Sequence, residues 1–190
     1  MTGYAVLDRV GFRELMRGLY RVEVVGSENV PATGGVILAS NHESVVDPFI
    51  LAVATLREIR YMTKAELFRI PPVASTLRWL GAFPVVRGSA DRQAFGEAFD
   101  LLRRGEVLGI FPQGTSKQHR DRRWRSGAAR LALATGAPIV PVRMTGTRAW
   151  PLRTRVRIHV GPPIAVEATT PTAEAATTLI QLVEQGVQAA

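Results

Sequence analysis

The stretch Val36-Ile37-Leu38-Ala39-Ser40-Asn41-His42-Glu43-Ser44-Val45-Val46-Asp47-Pro48-Phe49-Ile50 decides how the chain is read. Val36 to Ala39 is a short apolar run of the kind that forms a buried strand, and Asn41 and His42 follow where such a strand ends. Pro48 favours the first position of a helix and keeps the residue before it out of the αR region. Asp47 is therefore expected at the helix N-cap. His42 and Asp47 then share one strand-to-helix loop. On a continuous helix their spacing would turn the two side chains roughly 140° apart, whereas a loop closed by a helix can fold the carboxylate back onto the imidazole. Two readings stand at this point: a general base oriented by an acid, or a loop histidine beside an ordinary N-cap aspartate.

Outward from this stretch, helix and strand patterns alternate. Towards the N-terminus, residues 21–25 alternate like a strand, and residues 5–20 read as an amphipathic helix. Arg9, Arg13, Arg17 and Arg21 recur at i, i+4 spacing, with Phe12, Leu15, Met16 and Leu19 on another side. Such a helix either lies on an anionic membrane or packs its apolar stripe on the domain. Towards the C-terminus, strands are expected at 59–62, 82–87, 107–111, 138–142 and 153–160. Helices are expected after Pro48, at 73–80 and 91–103, from Ser126 or Gly127 to Thr135, and from about Thr170 to Val187. Arg155, Arg157 and His159 alternate with Val156, Ile158 and Val160, so His159 reads as a strand-face residue. The expected fold is α/β: a single domain over 1–190 with a mixed central sheet of about 5–7 strands and helices on both faces. His42, Arg87 and Gln113-Gly114-Thr115-Ser116 each follow the C-terminal end of an expected strand, the edge where ligands gather in open α/β sheets.

Composition narrows the function classes. A hydrophobic content of 46% with 21% charged residues belongs to a globular chain. With no cysteine, disulfides and thiolate metal sites are excluded, and His42, His119 and His159 are too scattered for a zinc site, so no metal and no bound cofactor are expected. No run of roughly 18 uncharged apolar residues could span a bilayer. The N-terminus lacks a secretory signal, so a cytoplasmic location is expected, with the inner face of the membrane as a peripheral site. The net charge of +8 is concentrated between Lys117 and Arg157, where eleven Lys or Arg face a single acid, Asp121. That field favours an anionic partner such as a lipid headgroup, a phosphorylated small molecule or an acidic carrier protein. The basic run 117–125 holds one aromatic, Trp124, which gives little base stacking, so nucleic acid is not an expected partner.

Four segments, in order and at matching spacing, carry a resemblance. They are Asn41-His42 with Asp47; Gly81 with Arg87, preceded by Lys64-Ala-Glu-Leu and Ile70-Pro; Phe111-Pro112-Gln113-Gly114-Thr115-Ser116; and Pro138-Ile-Val-Pro141-Val, preceded by Trp124-Arg125-Ser-Gly127. Together they resemble the glycerolipid acyltransferase family that includes the 1-acylglycerol-3-phosphate acyltransferases, over a motif-bearing core at 36–142. The resemblance implies acyl transfer from a thioester, either acyl-coenzyme A or acyl-carrier protein, to a hydroxyl of a lysolipid. It implies His42 as general base and Asp47 as its orienting acid, with Arg87, Gln113, Gly114, Thr115 and Arg125 on the acceptor. No G-x-S-x-G elbow occurs, which favours direct transfer over an acyl-enzyme, although Ser44 lies two residues from His42. Gln113 and Ser116 stand where the family carries glutamate and arginine, a departure pointing to the alternative of a non-phosphorylated or natural-product acceptor; a non-catalytic lipid- or acyl-binding relative is a separate alternative.

Overall fold

Seven segments of three to seven residues, too short for helices and rich in apolar side chains, assemble into one sheet. The computed structural model describes residues 11–86, 91–114, 124–148 and 154–190. Its elements in chain order are α1 (Phe12–Tyr20), β1 (Glu23–Val25), β2 (Val36–Ser40), α2 (Asp47–Leu51), β3 (Ile59–Lys64), α3 (Pro71–Trp79), β4 (Ala82–Val85), α4 (Arg92–Arg103), β5 (Val107–Ile110), α5 (Gly127–Thr135), β6 (Ile139–Thr145), β7 (Arg157–Val160) and α6 (Ala173–Ala189). Short 3-10 helices occupy Ser27–Asn29 and Ala65–Arg69.

The seven strands form a single mixed sheet in the order β1-β7-β6-β2-β5-β3-β4. Strands β6, β2, β5, β3 and β4 run parallel, and β7 turns back antiparallel to β6 with β1 parallel beside it. This is the expected α/β architecture. β2 is buried along its whole length, as a central parallel strand covered on both faces must be. One face packs Val36, Leu38, Ile59, Val140 and Val142 against α1 and α2. The other packs Ile37, Ala39, Leu108 and Ile139 against α4, α5 and α6. Val156, Ile158 and Val160 point inward from the β7 segment while Arg157 and His159 are exposed, as their alternation requires.

The strand order creates a switch point. From β2 the chain crosses over α2 on the first face to reach β3, whereas from β5 it crosses over α5 on the opposite face to reach β6. Neighbouring strands β2 and β5 therefore send their following loops to opposite sides, which opens a crevice at their C-terminal ends. At the other end, Arg57 ties three loops together. Its guanidinium donates to the carbonyls of Pro31 at 2.7 Å and Gly34 at 2.6 Å, and also to that of Gly105. Burial pulls its pKa down from the ordinary arginine value. Because hydrogen bonds to charged groups are the stronger ones, Arg57→Ala is expected to lower the unfolding free energy by about 2–3 kcal/mol. Urea denaturation measures this.

Three expectations change. The part of the 5–20 helix that is described, Phe12–Tyr20, buries Arg13 with Met16 and Tyr20 on one face and leaves Leu15 exposed, so the arginine series does not form one solvated side. Arg9 lies outside the described residues. The helix after Pro48 covers only Asp47–Leu51, and 3-10-type bonds from Val53 to Ile50 and Ala54 to Leu51 end it. Asp47 is itself the first helical residue, with Val46 at the N-cap, because its carboxylate is drawn to donors in the loop before it. Among the described residues, no helix is long and apolar enough to cross a membrane.

Candidate active site

The stretch that ends β2 is held from both sides. Asn41 extends the sheet beyond its last strand residue: its Nδ2 donates to the Met144 carbonyl at 2.8 Å and its Oδ1 accepts from Met144 N–H at 2.7 Å. The amide copies a backbone ladder with β6 and fixes the direction in which residue 42 leaves the sheet. On the other side the His42 backbone N–H donates to Gln113 Oε1 at 2.6 Å, joining the loop after β2 to the loop after β5.

His42 Nδ1 and Asp47 Oδ2 lie 2.8 Å apart. The Asp47 side chain is wholly buried and that of His42 is 13% exposed. The same Oδ2 accepts the backbone N–H groups of Glu43 at 2.6 Å and Ser44 at 2.8 Å, so one oxygen gathers three donors from consecutive residues. Oδ1 is buried and has no hydrogen-bond partner among the described residues. An acid that caps the loop carrying its histidine fixes the ring and the loop together. With Nδ1–H donating to Asp47, the lone pair sits on Nε2.

An aromatic stack backs the imidazole. The Phe111 ring lies 4.4 Å from that of His42, centroid to centroid, at 26°. The Tyr61 ring lies nearly parallel to that of Phe111, 6.4 Å away at 7°, and its hydroxyl donates to the Pro48 carbonyl at 2.7 Å. Tyr61 reaches this place across strand β5 only because residue 109 is glycine, where an added Cβ would come within 2.6 Å of the Tyr61 ring. The sequence gives Tyr61 no place in the site, and Phe111 enters it only as the first residue of the third motif segment, without a role of its own. An aromatic at a strand end is ordinarily core, and only the register between β3 and β5 brings the two together.

Of the residues expected on the acceptor, Gln113, Gly114 and Arg125 come together. Gly114 closes a turn at φ +73°, its N–H donating to the Phe111 carbonyl at 2.9 Å, and Arg125 N–H donates to the Pro112 carbonyl at 3.0 Å. An added Cβ on Gly114 would sit 3.0 Å from Arg125 Nε, so glycine lets the guanidinium lie against the turn. Arg87, Thr115 and Ser116 lie outside the described residues, as do Arg120, Arg122 and Arg123. A cavity of about 700 Å³ opens beside Gly114 and Arg125, between α4 and α5. Its interior is apolar, with Met62, Phe95, Phe99, Ile110, Phe111 and Leu131 on its wall, and the exposed Arg92, Arg125 and Arg130 also border it. At Gly96, on the α4 wall, an added Cβ would meet no atom within 4 Å, so glycine keeps space open there. Phe111 both lines this cavity and stacks on the His42 ring.

Sequence comparison bears on what such a site serves. The acyltransferase family profile matches residues 21–145. The chain belongs to this acyltransferase family. It is 37% identical over 126 residues to the 1-acyl-sn-glycerol-3-phosphate acyltransferase of Bacillus subtilis, covering 66% of this chain and 63% of that protein. It is 34% identical over 156 residues to the protein of the same name from Borreliella burgdorferi, covering 77% of this chain and 62% of the relative. The chain thus spans somewhat less than two thirds of the length of these relatives. In fold it is similar to the crystal structure of the 1-acyl-sn-glycerophosphate acyltransferase from Thermotoga maritima. The TM-score there is 0.71 at 24% identity, over 98% of this chain and 79% of that one. The family resemblance in the four sequence segments and the α/β fold therefore both hold. The chain is an acyltransferase-family protein whose His42, Asp47, Gln113, Gly114 and Arg125 occupy one edge of the sheet.

Proposed function

We propose that the protein transfers an acyl chain from an acyl thioester, acyl-coenzyme A or acyl-carrier protein, to the hydroxyl of a lysophospholipid such as 1-acylglycerol-3-phosphate. The observation that carries this reading is the buried Asp47 carboxylate on His42 Nδ1, placed at the switch point of the sheet in a chain of this family. His42 Nε2 removes the acceptor's hydroxyl proton as that oxygen attacks the thioester carbonyl. Asp47 holds the imidazole in the required tautomer and stabilises the imidazolium that forms. The tetrahedral intermediate collapses with cleavage of the C–S bond, and the departing thiolate takes the proton from the imidazolium. Ester and thiol are the products, and His42 returns to its neutral form.

The lining of the cavity suits an amphiphile, with aromatic and aliphatic side chains for a chain and Arg92, Arg125 and Arg130 for an anionic group. On this reading Gly114 and Arg125 act on the acceptor, and Arg87 and Thr115 are proposed to join them. The assay is incubation with acyl-coenzyme A or acyl-carrier protein and a panel of acceptors, following thiol release together with the acylated product.

A second reading, a non-phosphorylated acceptor, drew on Gln113 and Ser116. Gln113 Oε1 accepts the His42 N–H, a duty a glutamate oxygen performs equally well, which supports a part for this position in holding the histidine loop. Ser116 is the other departure favouring the second reading. Gln113→Glu is accordingly expected to keep kcat, whereas Gln113→Leu, which leaves the His42 N–H without its partner, lowers kcat by about tenfold with little change in KM. Steady-state kinetics on both variants separates the two effects. A rise in KM alone would assign Gln113 to acceptor binding.

A further inference from the structure

The segment after β3 is built unlike the rest of the molecule. Among residues 65–79 only Ala74 is buried, although the stretch forms a 3-10 helix followed by α3. Leu67, Ile70 and Val73 are 41%, 49% and 36% exposed. Leu67 lies on the 3-10 helix, Ile70 at the extended junction and Val73 in the first turn of α3, so three exposed apolar side chains recur at three-residue spacing across the junction as an apolar ridge. Lys64, Arg69 and Arg78 flank it against the single acid Glu66, leaving the segment positively charged. Arg78 lies over the Phe68 ring at 5.4 Å, which keeps its stem close to the apolar surface.

The ridge stands at the active edge of the sheet. β3 ends at Lys64, parallel to β5, which is parallel to β2. Phe68, behind the ridge, and Val46, in the His42 loop, pack on the same core cluster. Val45 in the His42 loop and Phe49 in α2 are themselves 63% and 38% exposed, which adds apolar surface at the catalytic loop. The described part of the N-terminal helix, by contrast, turns Met16 and Tyr20 into the core.

We infer that the ridge of Leu67, Ile70 and Val73, with its flanking Lys64, Arg69 and Arg78, docks on the surface of an anionic lipid bilayer and sets His42 at the headgroup level. An apolar face sunk into the headgroup boundary with cations at its margin is the composition that binds such a surface. A water-exposed ridge of this kind has no role in the core, as its exposure shows. The inference rests on the reading that the acceptor is a lipid, but its test does not depend on turnover.

The test is co-sedimentation of the full chain with vesicles of phosphatidylcholine alone and of phosphatidylcholine mixed with phosphatidylglycerol. The protein is expected to bind the mixed vesicles more tightly. Leu67→Gln/Ile70→Gln/Val73→Gln, all at exposed positions, should lower partitioning by roughly tenfold or more. Arg69→Gln/Arg78→Gln should remove most of the dependence on phosphatidylglycerol and on salt. The triple variant should melt as the parent does, keep its kcat/KM on a short-chain acceptor dissolved as monomers, and lose kcat/KM on the same headgroup presented in vesicles. Retained binding by a folded triple variant, or no binding of the parent protein to either vesicle, overturns the inference. A parent protein that binds vesicles but transfers no acyl group overturns the catalytic reading and supports the docking surface.

Discussion

His42→Ala is expected to lower kcat/KM for acyl transfer by about 10²–10⁴-fold, the usual contribution of a positioned general base. That corresponds to roughly 3–5 kcal/mol of transition-state stabilisation. The change should fall on kcat, because Nε2 is used as the proton moves and not to hold the resting acceptor. The fold should survive, since Asp47 Oδ2 keeps its two backbone donors, Glu43 and Ser44, when the imidazole is gone. Circular dichroism and a melting curve check this alongside the kinetics. A variant that melts normally and retains full activity would leave the protein as a binding relative of the family.

Asp47 is expected to behave differently, because it does two things at once. Asp47→Ala removes an acceptor that serves three donors inside the protein and leaves the Glu43 and Ser44 N–H groups without it. Stability should fall by about 2–4 kcal/mol, and activity by no more than the amount lost with His42→Ala, because Asp47 acts through the histidine. Asp47→Asn keeps the shape and one acceptor oxygen, so much of the stability should return while activity stays low, because the amide cannot balance an imidazolium. The two residues act as a unit. The double variant His42→Ala/Asp47→Asn should therefore be scarcely less active than His42→Ala alone. Urea unfolding and a double-mutant cycle on kcat/KM measure the two parts. Additive losses would mean that Asp47 does not work through His42.

Much of this was legible in the chain because it is written locally. Val36–Ala39 is apolar throughout and lies in the fully buried β2, and Gly136 stops α5 at the residue where its helical pattern ends. His42 and Asp47 meet because one short loop joins them and the carboxylate accepts that loop's own N–H groups, a constraint carried by neighbouring residues. What could not be read depends on partners distant in sequence. The Arg157–Val160 pattern announces a strand, but its antiparallel pairing with β6 and parallel pairing with β1 is decided by the sheet as a whole. Asn41 gives no local sign that it will bridge to Met144, over a hundred positions away, and Gln113 gives none that its oxygen will meet the His42 N–H. The arginine ladder of the first helix misled for the opposite reason. Spacing implied that Arg13 shares the solvent with Arg17, whereas packing of Met16 and Tyr20 turns Arg13 inward with them.

The central claim is that His42 drives transfer of an acyl group from a thioester to a lysolipid hydroxyl. The most direct measurement is identification by mass spectrometry of the products formed from acyl-coenzyme A or acyl-carrier protein and 1-acylglycerol-3-phosphate, with free thiol quantified in the same sample. The predicted result is one diacylated lipid for each thiol released by the parent protein, and neither with His42→Ala. Thiol release without an acylated lipid, or equal product from the folded His42→Ala variant, would contradict it.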